Sequence, residues 1–220
     1  MGPIGNVKLI SKNSLSRRGL NIIVIILTSL VLVSCNKDEP EVDVPVYEDD
    51  SVPIPKRQGE RPETTPDIPH TQIDVDPVPA VHDELIRRVY SVPGIEDRPS
   101  VVGGWQGLWI ADNVGIAKPN ALIDEREFAH IHNDGSLHIF LEPSRSHEAV
   151  DSCWAVFHPY ALDFLESLEQ PEPDEGLEAW HGFVLLYTPQ SIEELNVTFQ
   201  LIVDGYNYVT RQDLVATDYY

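Results

Sequence analysis

The chain has 220 residues, with 15 Lys and Arg against 36 Asp and Glu and a formal charge of -21. All the acidic residues lie beyond position 35, while Lys8, Lys12, Arg17 and Arg18 lie before it, so the part from Cys35 onward keeps 11 basic residues and carries 11 - 36 = -25. A chain this acidic repels phosphate backbones, which sets nucleic acid aside as a partner, and the length fits one ordinary domain with added segments.

Residues 20–33 read LNIIVIILTSLVLV and follow the basic stretch Lys8 to Arg18. A charged region, then a short apolar run, then small residues is the physical pattern of a secretory signal. The run is shorter than the ~20 apolar residues that span a bilayer, and polar acidic sequence begins abruptly at Asn36. Leu32-Val33-Ser34-Cys35 resembles the lipobox of bacterial lipoproteins, which implies a signal peptide over 1–34 and a lipidated Cys35 as the first mature residue. Several acyl chains on one cysteine give a stable anchor where a single chain does not. Asn36-Lys37-Asp38-Glu39 is similar to the acidic signal that sends some lipoproteins to the face of the outer membrane. The expected location is therefore the cell envelope, as an outer-membrane lipoprotein exposed at the surface. Ser16-Arg17-Arg18-Gly19-Leu20 also resembles a twin-arginine export motif, a rival for the route but not for the anchor.

From Cys35 to Pro79 the chain is rich in Pro, Asp, Glu and Val, with nine prolines between Pro40 and Pro79. No apolar period of 2 or 3.6 survives that spacing. Such sequence stays extended and solvated because it buries too little surface to offset its ordering, so 35–79 reads as a disordered tether. The folded domain is then expected over 80–220.

Within it, Val81, Leu85, Ile86 and Val89 fall on one helical face, and Pro93-Gly94 stops that helix. Val101 to Ala111, with Trp105 and Trp109, reads as strand and turn. Glu127 to His132 and Ser136 to Leu141 are short β-type runs around Asn133-Asp134-Gly135, a hairpin signal. A second helix is expected from Ser144 or Ser146, carrying Ala149, Val150, Cys153 and Trp154 on one face and ending before His158-Pro159. Gly182 to Tyr187 reads as a continuous apolar strand. Ser191 and Glu194 form a capping box for a last helix with Ile192, Leu195, Phe199, Ile202, Tyr206 and Val209 as its buried stripe. A shorter helix followed by a strand is the rival, because Val197, Phe199, Leu201 and Val203 also alternate. Strands and helices are interspersed without βαβ regularity, which gives a single α+β domain with an antiparallel sheet and helices packed on one face.

The chemistry concentrates in Glu127-Phe-Ala-His130-Ile-His132-Asn-Asp-Gly-Ser-Leu-His138. Along a strand His130 and His132 share a face. A three-residue loop with left-handed Gly135 pairs His130 with His138 and puts all three imidazoles together. A two-residue loop would pair His130 with Ile139 and send His138 to the other side. If clustered, the three could hold a divalent metal with His158 or Glu127 completing the shell. They could equally act as acid–base groups, their ordinary pKa lying near neutrality, or serve only as hydrogen-bonded members of a half-buried sheet. His132-x-Asp134 resembles part of an iron facial triad, but Asp134 stands where the turn wants an aspartate.

Arg126-Glu-Phe-Ala-His-Ile-His132, Gly135-Ser-Leu-His138, Trp154-Ala-Val-Phe-His158-Pro159, Phe183-Val-Leu-Leu-Tyr187-Thr-Pro189 and Glu193-Glu-Leu195 together resemble the luciferase-like domain, shared by fungal luciferases and many bacterial proteins, over roughly 80–212. The resemblance implies an oxygenase that adds O2 to a small hydroxylated molecule with no cofactor expected. Carried over, it makes His130, His132, His138 and His158 the catalytic candidates, with Trp154 and Tyr187 as walls of a substrate pocket. Two departures stand out: Gln190 where relatives commonly have arginine, and an acidic insertion from Glu166 to Glu178. The alternative to an enzyme is a non-catalytic module on the cell envelope that binds a small molecule or, through the histidines, a divalent metal.

Overall fold

Short alternating or continuous apolar runs between turns build six strands among the described residues, β1 (Ile95–Pro99), β2 (Gln106–Ile110), β3 (Glu127–Ile131), β4 (Leu137–Phe140), β5 (Ala155–Phe157) and β6 (Phe183–Leu186). They form one open sheet in the order β1-β2-β3-β4-β6-β5, every neighbouring pair antiparallel. The structure is a computed structural model that describes residues 53–162 and 178–220. The expected signal over 1–34, Cys35, the tether as far as residue 52 and the acidic insertion as far as residue 177 lie outside the described residues.

Among the described residues three α-helices accompany the sheet: α1 (Pro79–Val89), α2 (Pro143–Asp151) and α3 (Ile192–Thr210). Proline at the first turn of α1 and α2 costs no hydrogen bond, since that N–H has no partner inside a helix. The long form of α3 is the one adopted. Ser191 caps it by accepting from the Glu194 N–H, and Glu194 Oε2 accepts in turn from the Gln190 N–H at 2.8 Å. Leu195, Phe199, Ile202, Tyr206 and Val209 are fully buried, each contributing roughly 1.5–3 kcal/mol by leaving water, which outweighs the β propensity of the alternating run. Ile192, expected in this stripe, is instead 43% exposed.

Gly205 lets α3 approach the sheet closely: a Cβ there would stand 2.6 Å from Ile139 Cδ1 and 2.8 Å from the Phe140 carbonyl oxygen. Ile139 therefore points toward α3, and its neighbour His138 points to the opposite face. On the α3 side, Arg88 of α1 donates to Asn196, and Arg145 of α2 pairs with Asp204 at 2.8 Å. An α+β domain with an antiparallel sheet and helices gathered around α3 is thus the architecture.

Two expectations change. The second helix stops at Asp151 rather than running through Trp154: Cys153 takes a left-handed φ of 64°, and β5 starts at Ala155. β-Branched Val156 between Ala155 and Phe157 suits a strand, and pairing with β6 wins over helical continuation. The other change concerns the tether. Residues 53–78 do not run free but form a strap against the domain. Trp154 Nε1 donates to the Pro55 carbonyl at 2.6 Å, the Ile54 N–H donates to Glu148, and Arg61 donates to the Val150 carbonyl. Proline-rich sequence buries little of its own, but here the domain supplies both the apolar surface and the hydrogen-bond partners.

Candidate functional site

The hairpin β3–β4 sets the site. Gly135 has φ 85°, the His132 N–H donates to the Ser136 carbonyl, and His130 pairs with His138. This is the three-residue turn, so the three imidazoles share one face. A register irregularity between Leu108 and Trp109 lets Trp109 pair with Glu127 while Leu108 pairs with Ala129. The extra residue reverses the alternation, so Glu127 joins the histidine face and Phe128 packs edge-on against Tyr206 of α3. Glu127 is fully buried; its Oε1 stands 3.3 Å from His130 Nδ1, off the hydrogen-bond direction, and its Oε2 accepts from the Val101 N–H.

Two more histidines arrive from outside the hairpin. His158 follows β5, held by donating its N–H to the Phe183 carbonyl, while its Nδ1 accepts from the Tyr160 N–H at 3.2 Å. His70 comes from the strap, on a small hairpin closed by a Thr64–Gln72 bridge and by the Thr65 N–H donating to the Thr71 carbonyl. Gln72 anchors it by accepting from the Thr188 N–H. All five imidazoles are at most 5% exposed.

Their nitrogens face one another. His130 Nε2 lies 3.1 Å and His132 Nε2 3.2 Å from His138 Nδ1, while His138 Nε2 lies 3.2 Å from His70 Nδ1. His132 Nδ1 is 2.9 Å from Ser136 Oγ, which donates to Asp134 Oδ1 at 2.7 Å. A carboxylate only accepts, so the one serine proton goes to Asp134 and His132 must carry its proton on Nδ1. Asp134 thus acts behind the cluster, as orienter and turn residue together. Among the described residues, two groups bring three ligand-type nitrogens close enough for a metal ion: His130, His132 and His138, and His70, His138 and His158.

Burial favours the neutral form of His70, His132, His138 and His158. It pushes His70 down to about 4, and His132 and His158 to about 3, with nearby imidazoles adding like-charge repulsion for the last two. His138 is lowered well below 6.5 for the same reasons.

Of the sequence candidates, His130, His132, His138 and His158 come together, and Trp154 and Tyr187 lie beside the strap. Trp154 is bound to Pro55, and the Arg57 guanidinium sits 5.9 Å from the Tyr187 ring centre. The rings against the imidazoles are Trp105, centred 4.3 Å from His132, and Phe183, centred 4.3 Å from His158. Trp105 also borders a cleft of about 550 Å³ that reaches His132 and Asn133. His70 carries no local signal in the sequence; Trp105 could have been found from its place before β2, paired opposite the histidine strand. Gln190, the departure from the family pattern, is exposed and donates toward the Asp76 carbonyl of the strap.

Residues 125–203 match the family model described as the Luciferase domain, a span running from the start of β3 into α3 and including His130, His132, His138 and His158. No curated protein and no solved structure matches the chain.

Proposed function

We propose that this chain, which carries a luciferase-like domain, is a lipid-anchored envelope protein whose histidine cluster oxygenates a small enol-type molecule. The observation that carries this reading is the convergence of five buried imidazoles, nitrogens facing, beside a cleft bordered by Trp105. An enol-type substrate stacked on Trp105 would lose a proton at the cluster. The electron pair of the resulting enolate carbon then forms a C–O bond to O2. The substrate is oxidised by two electrons, O2 is reduced to the peroxide level, and the proton returns to the terminal oxygen to give a hydroperoxide. Water exclusion around the imidazoles protects such an intermediate.

Oxygen uptake by the purified full chain with polyphenol or pyrone candidates tests the activity. Uptake with one of them, abolished in His138→Ala with an unchanged circular dichroism spectrum, supports the oxygenase. Saturable binding with no uptake for any candidate that binds would instead make the domain a non-catalytic binding module. The lipid anchor is supported by the lipobox-like Leu32-Val33-Ser34-Cys35 and is tested by mass analysis of the mature N-terminus. Acylated Cys35 is the expected result. A thioether-linked cysteine has no thiol left to oxidise, so a Cys35 disulfide with Cys153, the other cysteine in the chain, would overturn the anchor.

A further inference from the structure

We infer that His130, His132 and His138 hold one divalent transition-metal ion, through His130 Nε2, His132 Nε2 and His138 Nδ1. The inference deepens the oxygenase reading, resting on it only in taking the cluster as the reactive centre. It departs from the expectation of a cofactor-free site that the family resemblance implied.

Spacing is the first argument. A tetrahedral ion with nitrogen ligands at ~2.0–2.1 Å places those ligands ~3.3 Å apart. The two distances from His138 Nδ1 are 3.1 and 3.2 Å, so little movement is needed to seat an ion.

Proton placement is the second. Metal-bound histidines characteristically donate their other N–H to an oriented partner, which leaves the ligating lone pair free. His132 does so through Ser136 to Asp134. His130 Nδ1 stands 3.3 Å from the buried Glu127 carboxylate, out of line for a hydrogen bond but within reach of one after a small ring rotation. His138 can donate Nε2–H to His70 Nδ1 at 3.2 Å. With His130 so turned, three lone pairs point at one another with no proton between them, an arrangement that repels itself unless a cation sits among them.

The competing set of His70, His138 and His158 fails on the same reasoning. His158 Nδ1 accepts the Tyr160 N–H, so the neutral ring carries its proton on Nε2 and has no second lone pair to give. His70 and His158 are left as neighbours of the ion rather than ligands. Three protein ligands with an open fourth position mark a catalytic rather than a structural metal site, and the cleft at Trp105 and His132 can supply the fourth ligand. An enol oxygen bound there would lose its proton far more readily than in water, which is the acidity the oxygenation step needs.

The test uses the full chain purified with its anchor in detergent, stripped by chelator and titrated with Co²⁺ or Zn²⁺ alone. One ion per chain retained after dialysis, with X-ray absorption reporting three imidazole nitrogens, is the expected result for the unaltered protein. His132→Ala should weaken retention at least 100-fold, and Ser136→Ala about 10-fold through the lost second partner. His158→Ala should keep the full stoichiometry. Failure of the unaltered chain to retain either ion overturns the inference without any variant, and so does an ion bound by fewer than three imidazoles. Loss of stoichiometry in a folded His158→Ala would move the ion to the competing set and overturn it as well. Oxygen uptake is read separately: an ion held as described without uptake sinks the oxygenase and leaves the metal site standing.

Discussion

The β3–β4 hairpin and the strap at 53–78 bring histidines to the same cluster by unlike means. In the hairpin, ladder hydrogen bonds and a three-residue turn fix His130, His132 and His138, and each imidazole alternates with a buried apolar residue on the helix face. In the strap, no sheet or helix holds His70; a single bridge, a glutamine anchor and a few hydrogen bonds do. The hairpin cannot change its register without losing the fold, whereas the strap can lose its contribution and leave the domain intact.

Deleting Leu137 should break the comparison at its strongest point. The three-residue turn survives, but every later residue of β4 slips by one, so Ile131 pairs with His138 and His130 with Ile139, which drives the imidazole to the α3 face and the isoleucine to the histidine face. Burying an imidazole against α3 while exposing an isoleucine costs several kcal/mol, a large share of the ~5–15 kcal/mol that holds a domain together. The expected outcome is loss of cooperative thermal unfolding by circular dichroism. A deletion variant that melts cooperatively within a few degrees of the parent would show that the hairpin register is not what holds the sheet.

Acid gives the next largest effect. The folded-state pKa values of His70, His132 and His158 lie near 4, 3 and 3, below the ordinary 6.5. The unfolded chain therefore binds protons first as pH falls, so stability is complete above 6.5 and drains away toward pH 4 and below. At pH 5 each imidazole costs on the order of 2 kcal/mol. Urea midpoints of chelator-treated protein should fall steeply from pH 7 to 5. His70→Ala should lessen the slope by the strap's single share and leave the rest. An unchanged midpoint across that range would mean that the cluster is open to water.

The same contrast explains what the sequence reveals. The hairpin is legible because its determinants are local: Asn-Asp-Gly at the turn and histidines at even spacing. The stop of α1 and the start of α3 follow from Pro93-Gly94 and the Ser191–Glu194 cap for the same reason. His70 is not legible, because what orders the strap belongs to distant residues such as Glu148, Trp154 and Thr188. The end of α2 is hidden likewise, since only the presence of β6 makes Ala155-Val-Phe a strand. Glu127 was visible as a candidate, but its place among the histidines depends on an irregularity that no local spacing announces.

Ser136→Ala probes the hairpin at finer scale. Ser136 is fully buried, and its hydroxyl joins His132 Nδ1 to Asp134. Removing it leaves a buried N–H without an acceptor at a cost of about 1–3 kcal/mol, with no change of backbone. The melting temperature should drop by several degrees, and the His132 ring proton should lose its slow exchange by NMR. A neutral substitution would place the His132 proton on Nε2 and remove the tautomer argument behind the metal site.

The smallest effect belongs to the strap. Arg57 lies 3.3 Å from Glu194 at the start of α3, with side chains 9% and 21% exposed. A pair this close to water contributes about 0.2–1 kcal/mol, so Arg57→Ala should hardly shift the global melt. Its consequence should appear locally. The strap's amides, among them Arg57 donating to the Ser152 carbonyl and Ile73 to the Glu63 carbonyl, open without the sheet opening. Hydrogen exchange should therefore quicken at Arg57 and Ile73 while His130 and Ile139 keep their protection. If the hairpin amides quickened in parallel, strap and sheet would form one cooperative unit, and His70 would be as firmly built in as the histidines of the hairpin.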